Sequence, residues 1–247
     1  GSDLASVRTS AILEGDNYRV NGTKIWTTDA HRNDYIICLV RTQPAEENRH
    51  AGLSQIIIDL KRDGAKVRPI KNMAGGEDFN EVVFEDVVVP KDRIVGEAGN
   101  GWAQVTSELA YERSGPERFL SAFRVFVELV RFCGPEPTEY QATVIGRIAS
   151  HIMTLRRMSI SVAGMLESGK DVVVEAALVK ELGNNFEKLL PELARVVGSD
   201  GFSDFSRDGD LFRRTFEDTM LLSPSFTLRG GTREILRGVI ARGLGLR

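Results

Sequence analysis

The chain has 247 residues, of which 42% are hydrophobic and 27% are charged, and its formal net charge is -3. This composition is ordinary for a globular protein, and it excludes long disorder, collagen-like repeats and the basic surface of a nucleic-acid binder. The chain has only two cysteines, which excludes a disulfide scaffold. We interpret Cys38 and Cys133 as reduced thiols of a cytoplasmic protein, and we predict neither a membrane span nor a signal peptide.

Residues 1–97 contain short apolar runs separated by turn signals, and they predict an all-β domain. Several runs alternate with the period of a half-buried strand and are rich in Val and Ile. Asn21-Gly22 stands between two of these runs and is typical of a hairpin turn. We therefore expect a compact β-sandwich or barrel. Its predicted strands cover residues 7–13, 18–20, 24–28, 35–40, 53–60, 67–70 and 81–89.

Residues 98–247 change to a helical period and predict an antiparallel helical bundle. The predicted helices cover residues 101–132, with an irregularity at Gly115-Pro116, and residues 141–167, 172–197 and 233–244. The apolar stripe predicted for the third of them comprises Val174, Ala177, Leu178, Leu182, Phe186, Leu189 and Leu193. The predicted fold class is therefore α+β in separate domains, with a β-domain at 1–97 and a bundle at 98–247.

Two motifs combine residue types that suit a cofactor. Trp26-Thr27-Thr28 closes a predicted strand, where a flat ring and two hydroxyl groups suit a planar ligand. The alternative is a core Trp with two Thr that favour strands. Gly230-Gly231-Thr232 opens the last predicted helix, whose free N–H groups and positive dipole end suit a phosphate. The alternative is a flexible entry into that helix.

Glu112-Arg113 is a candidate for acid–base chemistry. Adjacent opposite charges do not face each other on a helix, so the two side chains point in different directions. A carboxylate held in an apolar cleft would act as a base near neutral pH. The alternative is a pair of surface charges. The three histidines lie far apart in sequence, so we predict no metal site.

Four segments carry a family resemblance. They are Gly1-Ser2-Asp3-Leu4, the strand segment that contains Asn21-Gly22-Thr23-Lys24-Ile25-Trp26-Thr27-Thr28, the segment Phe84-Glu85-Asp86-Val87-Val88-Val89-Pro90, and Gly230-Gly231-Thr232-Arg233-Glu234-Ile235. Together, and in this order, they resemble the acyl-CoA dehydrogenase family of flavoenzymes over nearly the whole chain. The resemblance implies the middle β-domain and the C-terminal bundle of that family without its N-terminal helical domain. We therefore expect a cleaved or truncated chain that begins inside a ligand loop.

The resemblance implies FAD as the cofactor. The cofactor-binding residues that it implies are Trp26, Thr27, Thr28, Gly198, Gly201, Thr232 and Glu234. It implies that Trp26 lies near the isoalloxazine, Thr28 near its N5 edge, and Thr232 with Glu234 on the adenosine and diphosphate side. Two features depart from the family pattern. Its Gly-Gly-x-Gly turn reads Gly-Ser-Asp-Gly here, and its Arg-x-x-Phe-Gly motif does not follow the first bundle helix.

The resemblance also implies the position of the catalytic base. Most members place a Glu directly before the Gly-Thr of the last-helix motif, where this chain has Gly230. A minority that includes isovaleryl-CoA dehydrogenase takes its Glu from an earlier bundle helix, directly before an Arg, as in Glu112-Arg113. We therefore expect Glu112 to remove the α-proton of an acyl-CoA thioester while hydride passes to flavin N5. The resemblance assigns Ser2, Arg113 and the Gly230 N–H to the substrate.

The resemblance implies two kinds of partner. Electron-transfer flavoprotein is the expected electron acceptor, and FAD sites shared between subunits imply a homo- or hetero-oligomer, either dimer or tetramer. Two alternatives to the dehydrogenase stay open. One is a non-catalytic partner subunit of a hetero-oligomer, and the other is a related flavin oxidase or monooxygenase. The acyl group is also open, and ring-bearing acyl groups are among the candidates.

Overall fold

The computed structural model describes residues 3–44, 47–198 and 207–246. Ser2 and Gly201, two of the predicted site residues, lie outside the described residues. The chain divides into two compact units, and the division falls between residues 108 and 109.

The first unit is built on one mixed sheet of six strands, in the order β4-β3-β1-β2-β6-β5. The strands are β1 (Ser10–Glu14), β2 (Asn17–Thr28), β3 (Tyr35–Arg41), β4 (Leu53–Asp59), β5 (Lys66–Ile70) and β6 (Phe79–Pro90). β1 and β3 are parallel, and the other neighbours are antiparallel. The buried apolar core of this unit includes Val20, Val40, Ile56, Ile58, Val82 and Phe84.

The prediction of a hairpin turn at Asn21-Gly22 is wrong. These residues lie inside β2, and the tight turn between β1 and β2 is formed by Gly15-Asp16. Gly22 has a φ of +138°, and a Cβ on it would lie 2.7 Å from the Cα of Thr9. The glycine therefore serves a close approach of two backbones beside an irregularity of the strand, not a turn.

We expect Gly22→Ala to lower the free energy of unfolding by about 1–3 kcal/mol more than Gly15→Ala does. Both glycines have a positive φ, so both substitutions strain the backbone. A Cβ at Gly15 meets no atom within 4 Å, whereas a Cβ at Gly22 overlaps the Thr9 backbone. Chemical unfolding of the two variants isolates this overlap, and equal losses would contradict it.

The second unit is helical. A sheet unit followed by a helical unit confirms the predicted fold class, α+β in separate domains. The helices are α1 (Gly101–Ser114), which begins in the first unit, α2 (Phe123–Cys133), α3 (Glu139–Glu167), α4 (Val173–Val197), α5 (Arg207–Phe226) and α6 (Arg233–Gly243). A short 3-10 helix, Pro116–Arg118, interrupts the chain between α1 and α2, where the sequence predicts an irregularity. α5 is not among the predicted helices. None of the helices within the described ranges has the length and hydropathy of a membrane span.

The buried face of α4 differs from the predicted apolar stripe. Leu182, a member of that stripe, is 44% exposed, whereas Lys180, Asn184 and Glu187 are fully buried. The three polar residues share one face because they follow one another at helical spacing. The prediction of the stripe is therefore wrong at Leu182, because this helix turns polar side chains inward.

Candidate active site

Trp26 occupies an irregular point of β2. Its φ is +64°, and the pairing of β2 with β6 shifts register between Lys24 and Thr27. The Trp26 ring is 60% exposed and meets the edge of Phe79 with centroids 6.2 Å apart. A bulky residue in the left-handed region is strained, and such strain clusters at ligand sites. The bulge thus turns the ring outward, which excludes the core-Trp alternative.

Thr27 and Thr28 follow the bulge and return to regular pairing with β6. The carbonyl of Thr27 accepts a 3.0 Å hydrogen bond from Nδ2 of the buried Asn80. Oδ1 of Asn80 in turn lies 2.9 Å from Nδ1 of His31. Thr28 is exposed. Asn80 therefore anchors the backbone that follows the bulge, while the Trp26 and Thr28 side chains are exposed.

A cavity of about 660 Å³ lies in the first unit beside this part of β2. Its lining includes Leu4, Val7, Lys24, Ile25, Ile37 and Cys38. The Lys24 ammonium donates a 2.6 Å hydrogen bond to the Leu39 carbonyl, and burial lowers the pKa of Lys24. Burial raises the pKa of Cys38 to about 11, so this thiol is unreactive at neutral pH.

In the second unit, Glu112 forms an ion pair with Arg118. One Arg118 nitrogen, Nη2, donates to Oε1 of Glu112, and Nε donates to the Glu112 carbonyl at 3.1 Å. Arg118 is buried, and the Glu112 side chain is 41% exposed. The carboxylate is therefore half-exposed and paired, and does not lie in the apolar cleft envisaged from the sequence. Its position is fixed by a buried cation on the neighbouring 3-10 helix.

Arg113 points to the glycine turn before α6. Its Nε donates a 3.1 Å hydrogen bond to the Gly230 carbonyl, and burial lowers the pKa of Arg113. Gly230 and Gly231 have φ values of +67° and +103°. A Cβ on Gly230 would lie 3.4 Å from Cζ of Arg118. The structure thus places Arg113 against the Gly230 carbonyl, and Glu112 against Arg118, which lies next to the same turn. The roles predicted for Glu112, Arg113 and Gly230 stay predictions.

Thr232 and Glu234 stand at the start of α6. Thr232 is the N-cap residue. Hydrogen bonding to its own backbone N–H and to Thr232 lowers the pKa of the Glu234 carboxyl. A carboxylate of the chain therefore stands near the positive end of the helix dipole. Binding of a cofactor phosphate at this helix start stays a prediction.

Gly198 ends α4, where its N–H donates a 2.8 Å hydrogen bond to the Ala194 carbonyl. It is buried, and a Cβ on it would overlap the ring of Phe212. The packing of α4 against α5 therefore requires a glycine at this position. Its predicted contact with a cofactor stays a prediction.

Across residues 3–44, 47–198 and 207–246, no group of three or more His, Cys, Asp or Glu side chains is arranged to hold a metal ion. Both cysteines are free thiols.

A unit built on a β-sheet followed by a helical unit is the fold that the sequence resemblance implies. The family model for the acyl-CoA dehydrogenase middle domain matches residues 1–87, and the one for the C-terminal domain matches residues 99–245. The chain therefore belongs to the acyl-CoA dehydrogenase family.

Similar proteins and similar solved structures support this membership. Acyl-CoA dehydrogenase IpdE1 of Mycobacterium tuberculosis is 34% identical over 100% of this chain and 64% of its own length. One chain of the ChsE4-ChsE5 complex from Mycobacterium tuberculosis is 29% identical, with a TM-score of 0.81, over 100% of this chain and 66% of the matched one. A variant of the Tcur3481-Tcur3483 steroid ACAD is 25% identical, with a TM-score of 0.86, over 100% of this chain and 66% of the matched one. The chain thus spans about two-thirds of the length of such relatives.

Proposed function

We propose that this chain carries out FAD-dependent α,β-dehydrogenation of an acyl-CoA thioester with Glu112 as the base. The observation that carries the proposal is that Arg118 binds the Glu112 carboxylate and also lies next to the Gly230 turn, where a Cβ on Gly230 would be 3.4 Å from its Cζ. In a family that combines a base with donors to the thioester oxygen, Arg118 thus places the two elements near each other in one unit. Membership of the family supports the flavin chemistry.

The roles of the chain's own residues follow from their contacts. Glu112 takes the α-proton of the thioester, and Arg118 keeps the carboxylate in one orientation. The Gly230 N–H donates to the thioester oxygen, where negative charge develops. Arg113 restrains the turn from its other side by binding the Gly230 carbonyl. A fixed base and a fixed donor lower the barrier because neither has to reorganise during the reaction.

The residues of β2 fit a flavin. The Trp26 ring is turned outward on a bulge, and the exposed Thr28 supplies a hydroxyl beside it, which suits the flat face and polar edge of an isoalloxazine. We propose that Trp26, Thr27 and Thr28 hold this ring. The flavin, when bound, accepts the hydride that leaves the β-carbon of the substrate. Thr232, Glu234, Gly198 and Gly201 stay proposed contacts of the rest of the cofactor, and Ser2 of the substrate.

The absorbance spectrum of the purified protein tests the proposal. We expect flavin bands that bleach under anaerobic conditions when an acyl-CoA is added. Octanoyl-CoA, a branched acyl-CoA and a ring-bearing acyl-CoA compare the substrate classes. A structural relative described as a steroid ACAD favours the ring-bearing substrate. A bound flavin that none of these thioesters reduces would contradict a dehydrogenase, and rapid reoxidation by oxygen would favour an oxidase.

A second candidate is a non-catalytic subunit of a hetero-oligomer. Two structural relatives, the ChsE4-ChsE5 complex and the Tcur3481-Tcur3483 steroid ACAD, are each named for two different proteins, which favours an unlike partner for this chain too. This candidate predicts a colourless purified protein that gains flavin only with its partner. The dehydrogenase proposal instead predicts substrate bleaching and electron transfer to electron-transfer flavoprotein, which reduction of that acceptor by the substrate-reduced protein measures.

A further inference from the structure

A lysine without exposed surface lies in the interior of the helical unit. Lys180, on α4, donates a 2.5 Å hydrogen bond to Oδ1 of Asn184 and a 3.1 Å hydrogen bond to the carbonyl of Phe226. Burying an ammonium costs free energy even when hydrogen bonds compensate part of it. An apolar side chain of the same length would fill this space without that cost. The position of the ammonium therefore calls for an explanation beyond packing.

The second of these hydrogen bonds lies at the end of α5. Phe226 is its last residue, and the final carbonyls of a helix lack partners within the helix and attract cations. The segment that begins after Phe226 leads directly to the glycine turn. Lys180 therefore fixes the point from which this segment starts.

The stem of the same lysine also lies beneath the turn. A Cβ on Gly230 would lie 3.5 Å from Cε of Lys180 and 3.4 Å from Cζ of Arg118. Arg118 in turn binds the Glu112 carboxylate. Lys180, Arg118 and Glu112 thus form a row of neighbours, with Gly230 above the first two.

We propose that Lys180 is a positioning residue, whose ammonium holds the end of α5 and thereby sets the Gly230 turn against the Arg118–Glu112 pair. The proposal rests on the proposed function, because the turn and the carboxylate are the two elements that the reaction needs in a fixed relation. Lys180 does not touch the substrate in this account, and it acts through the turn.

The surroundings of Lys180 make its charge sensitive to pH. Four charged groups face it, which are Glu187 on its own helix, Arg118 on the 3-10 helix, Arg229 before the turn and Glu112 on α1. Burial lowers the pKa of Lys180 to about 8, Glu187 and Glu112 oppose this shift, and the two arginines add to it. The ammonium is therefore present below that pH and is lost as the pH rises through it.

Lys180→Met in the full-chain holoenzyme tests the proposal, with Lys188→Met as a matched control. Lys188 lies on the same helix but is exposed. We expect backbone amides 227–232 to exchange with solvent about tenfold faster in Lys180→Met and at the wild-type rate in Lys188→Met, because only the first variant frees the Phe226 carbonyl. Wild-type exchange at these amides in folded Lys180→Met would overturn the proposal.

The pH profile of acyl-CoA-dependent flavin reduction is the second measurement. We expect the wild-type rate to fall as the pH rises through about 8, and Lys180→Met to be about tenfold slower at pH 7 without this fall. KM should change far less than kcat, because the substrate does not contact Lys180. A fall near the same pH in Lys180→Met would contradict the role of its ammonium.

A second variant serves if Lys180→Met does not fold. Asn184→Leu keeps the ammonium but removes one acceptor that favours its charged form, so the alkaline fall should move to lower pH. An unmoved fall would overturn the proposal. Failure of the proposed function is recognised separately, by a Glu112→Gln variant that still bleaches, and amide exchange still decides on Lys180 in that event.

Discussion

Glu112→Gln is expected to slow acyl-CoA-dependent flavin bleaching by about 10²–10⁴-fold, the usual contribution of a positioned base. Glutamine has the size of glutamate, and its amide oxygen accepts the hydrogen bond that Arg118 gives to the carboxylate. The turn at Gly230 and the fold of the bundle should therefore persist. What glutamine cannot do is accept the α-proton. Anaerobic stopped-flow absorbance at the flavin bands measures this loss.

Glu167→Gln is the control for this substitution. Glu167 is exposed at the end of α3, so neutralising it changes the net charge by the same amount without touching the Arg118 pair. Its bleaching rate should equal that of the wild type, and both variants should retain the flavin spectrum. Unchanged bleaching in Glu112→Gln would end the assignment of Glu112 as the base, whereas loss of flavin would mean that the residue supports the cofactor site.

The order of the strands, and of the helices other than α5, was predictable because apolar residues recur with a strand period in residues 1–97 and with a helical period after them. The strand Tyr35–Arg41 and the helix Glu139–Glu167 lie within one or two residues of their predicted bounds. The prediction of a hairpin turn at Asn21-Gly22 was wrong for a physical reason. The same dipeptide that suits a turn also suits a strand that must pass very close to another backbone, here at Thr9. Local sequence does not distinguish the two uses of glycine.

The helix α5 was missed because its buried face is partly polar. Thr215, Thr219 and Ser223 are almost fully buried, so the apolar stripe that predicts a helix is interrupted at their positions. The hydroxyl of Thr219 is satisfied by the Thr215 carbonyl at 2.7 Å, one helical turn away. Burial of a polar residue depends on such tertiary surroundings, which no periodicity reports.

The candidate site likewise contains residues that sequence motifs predict and residues that only the packing reveals. Glu112, Arg113 and Gly230 were predictable because motifs carry them, and the structure places the three close together. Arg118 and Lys180 were missed. Arg118 follows a helix break, so its distance from Glu112 cannot be read from helical spacing, and Lys180 looks like an ordinary surface lysine until α4 is packed. A search for charged residues in phase with a buried helix face would have found Lys180.

Gly183 links the packing of the helices to the candidate site. This glycine of α4 is buried against the 3-10 helix, and a Cβ on it would lie 2.5 Å from the backbone carbonyl oxygen of Arg118. Backbone atoms cannot step aside as the end of a side chain can. An alanine here would therefore push the 3-10 helix outward, and Arg118 would move with it away from Glu112.

Gly183→Ala is accordingly expected to lower the free energy of unfolding by about 1–3 kcal/mol, the cost of overpacking, although alanine favours a helix over glycine by about 1 kcal/mol. Gly146→Ala is the matched control, because Gly146 lies inside α3 and a Cβ on it meets no atom within 4 Å. That variant should gain about 1 kcal/mol from propensity alone. Chemical unfolding therefore compares the same Gly→Ala substitution at two sites. The free energy of unfolding should fall at Gly183 and rise at Gly146. If Gly183→Ala is stabilised as well, the 3-10 helix can yield without cost, and its flavin bleaching should then stay at the wild-type rate. If it is destabilised, its bleaching should slow at every pH, since displacement of Arg118 loosens the carboxylate whether or not Lys180 is charged.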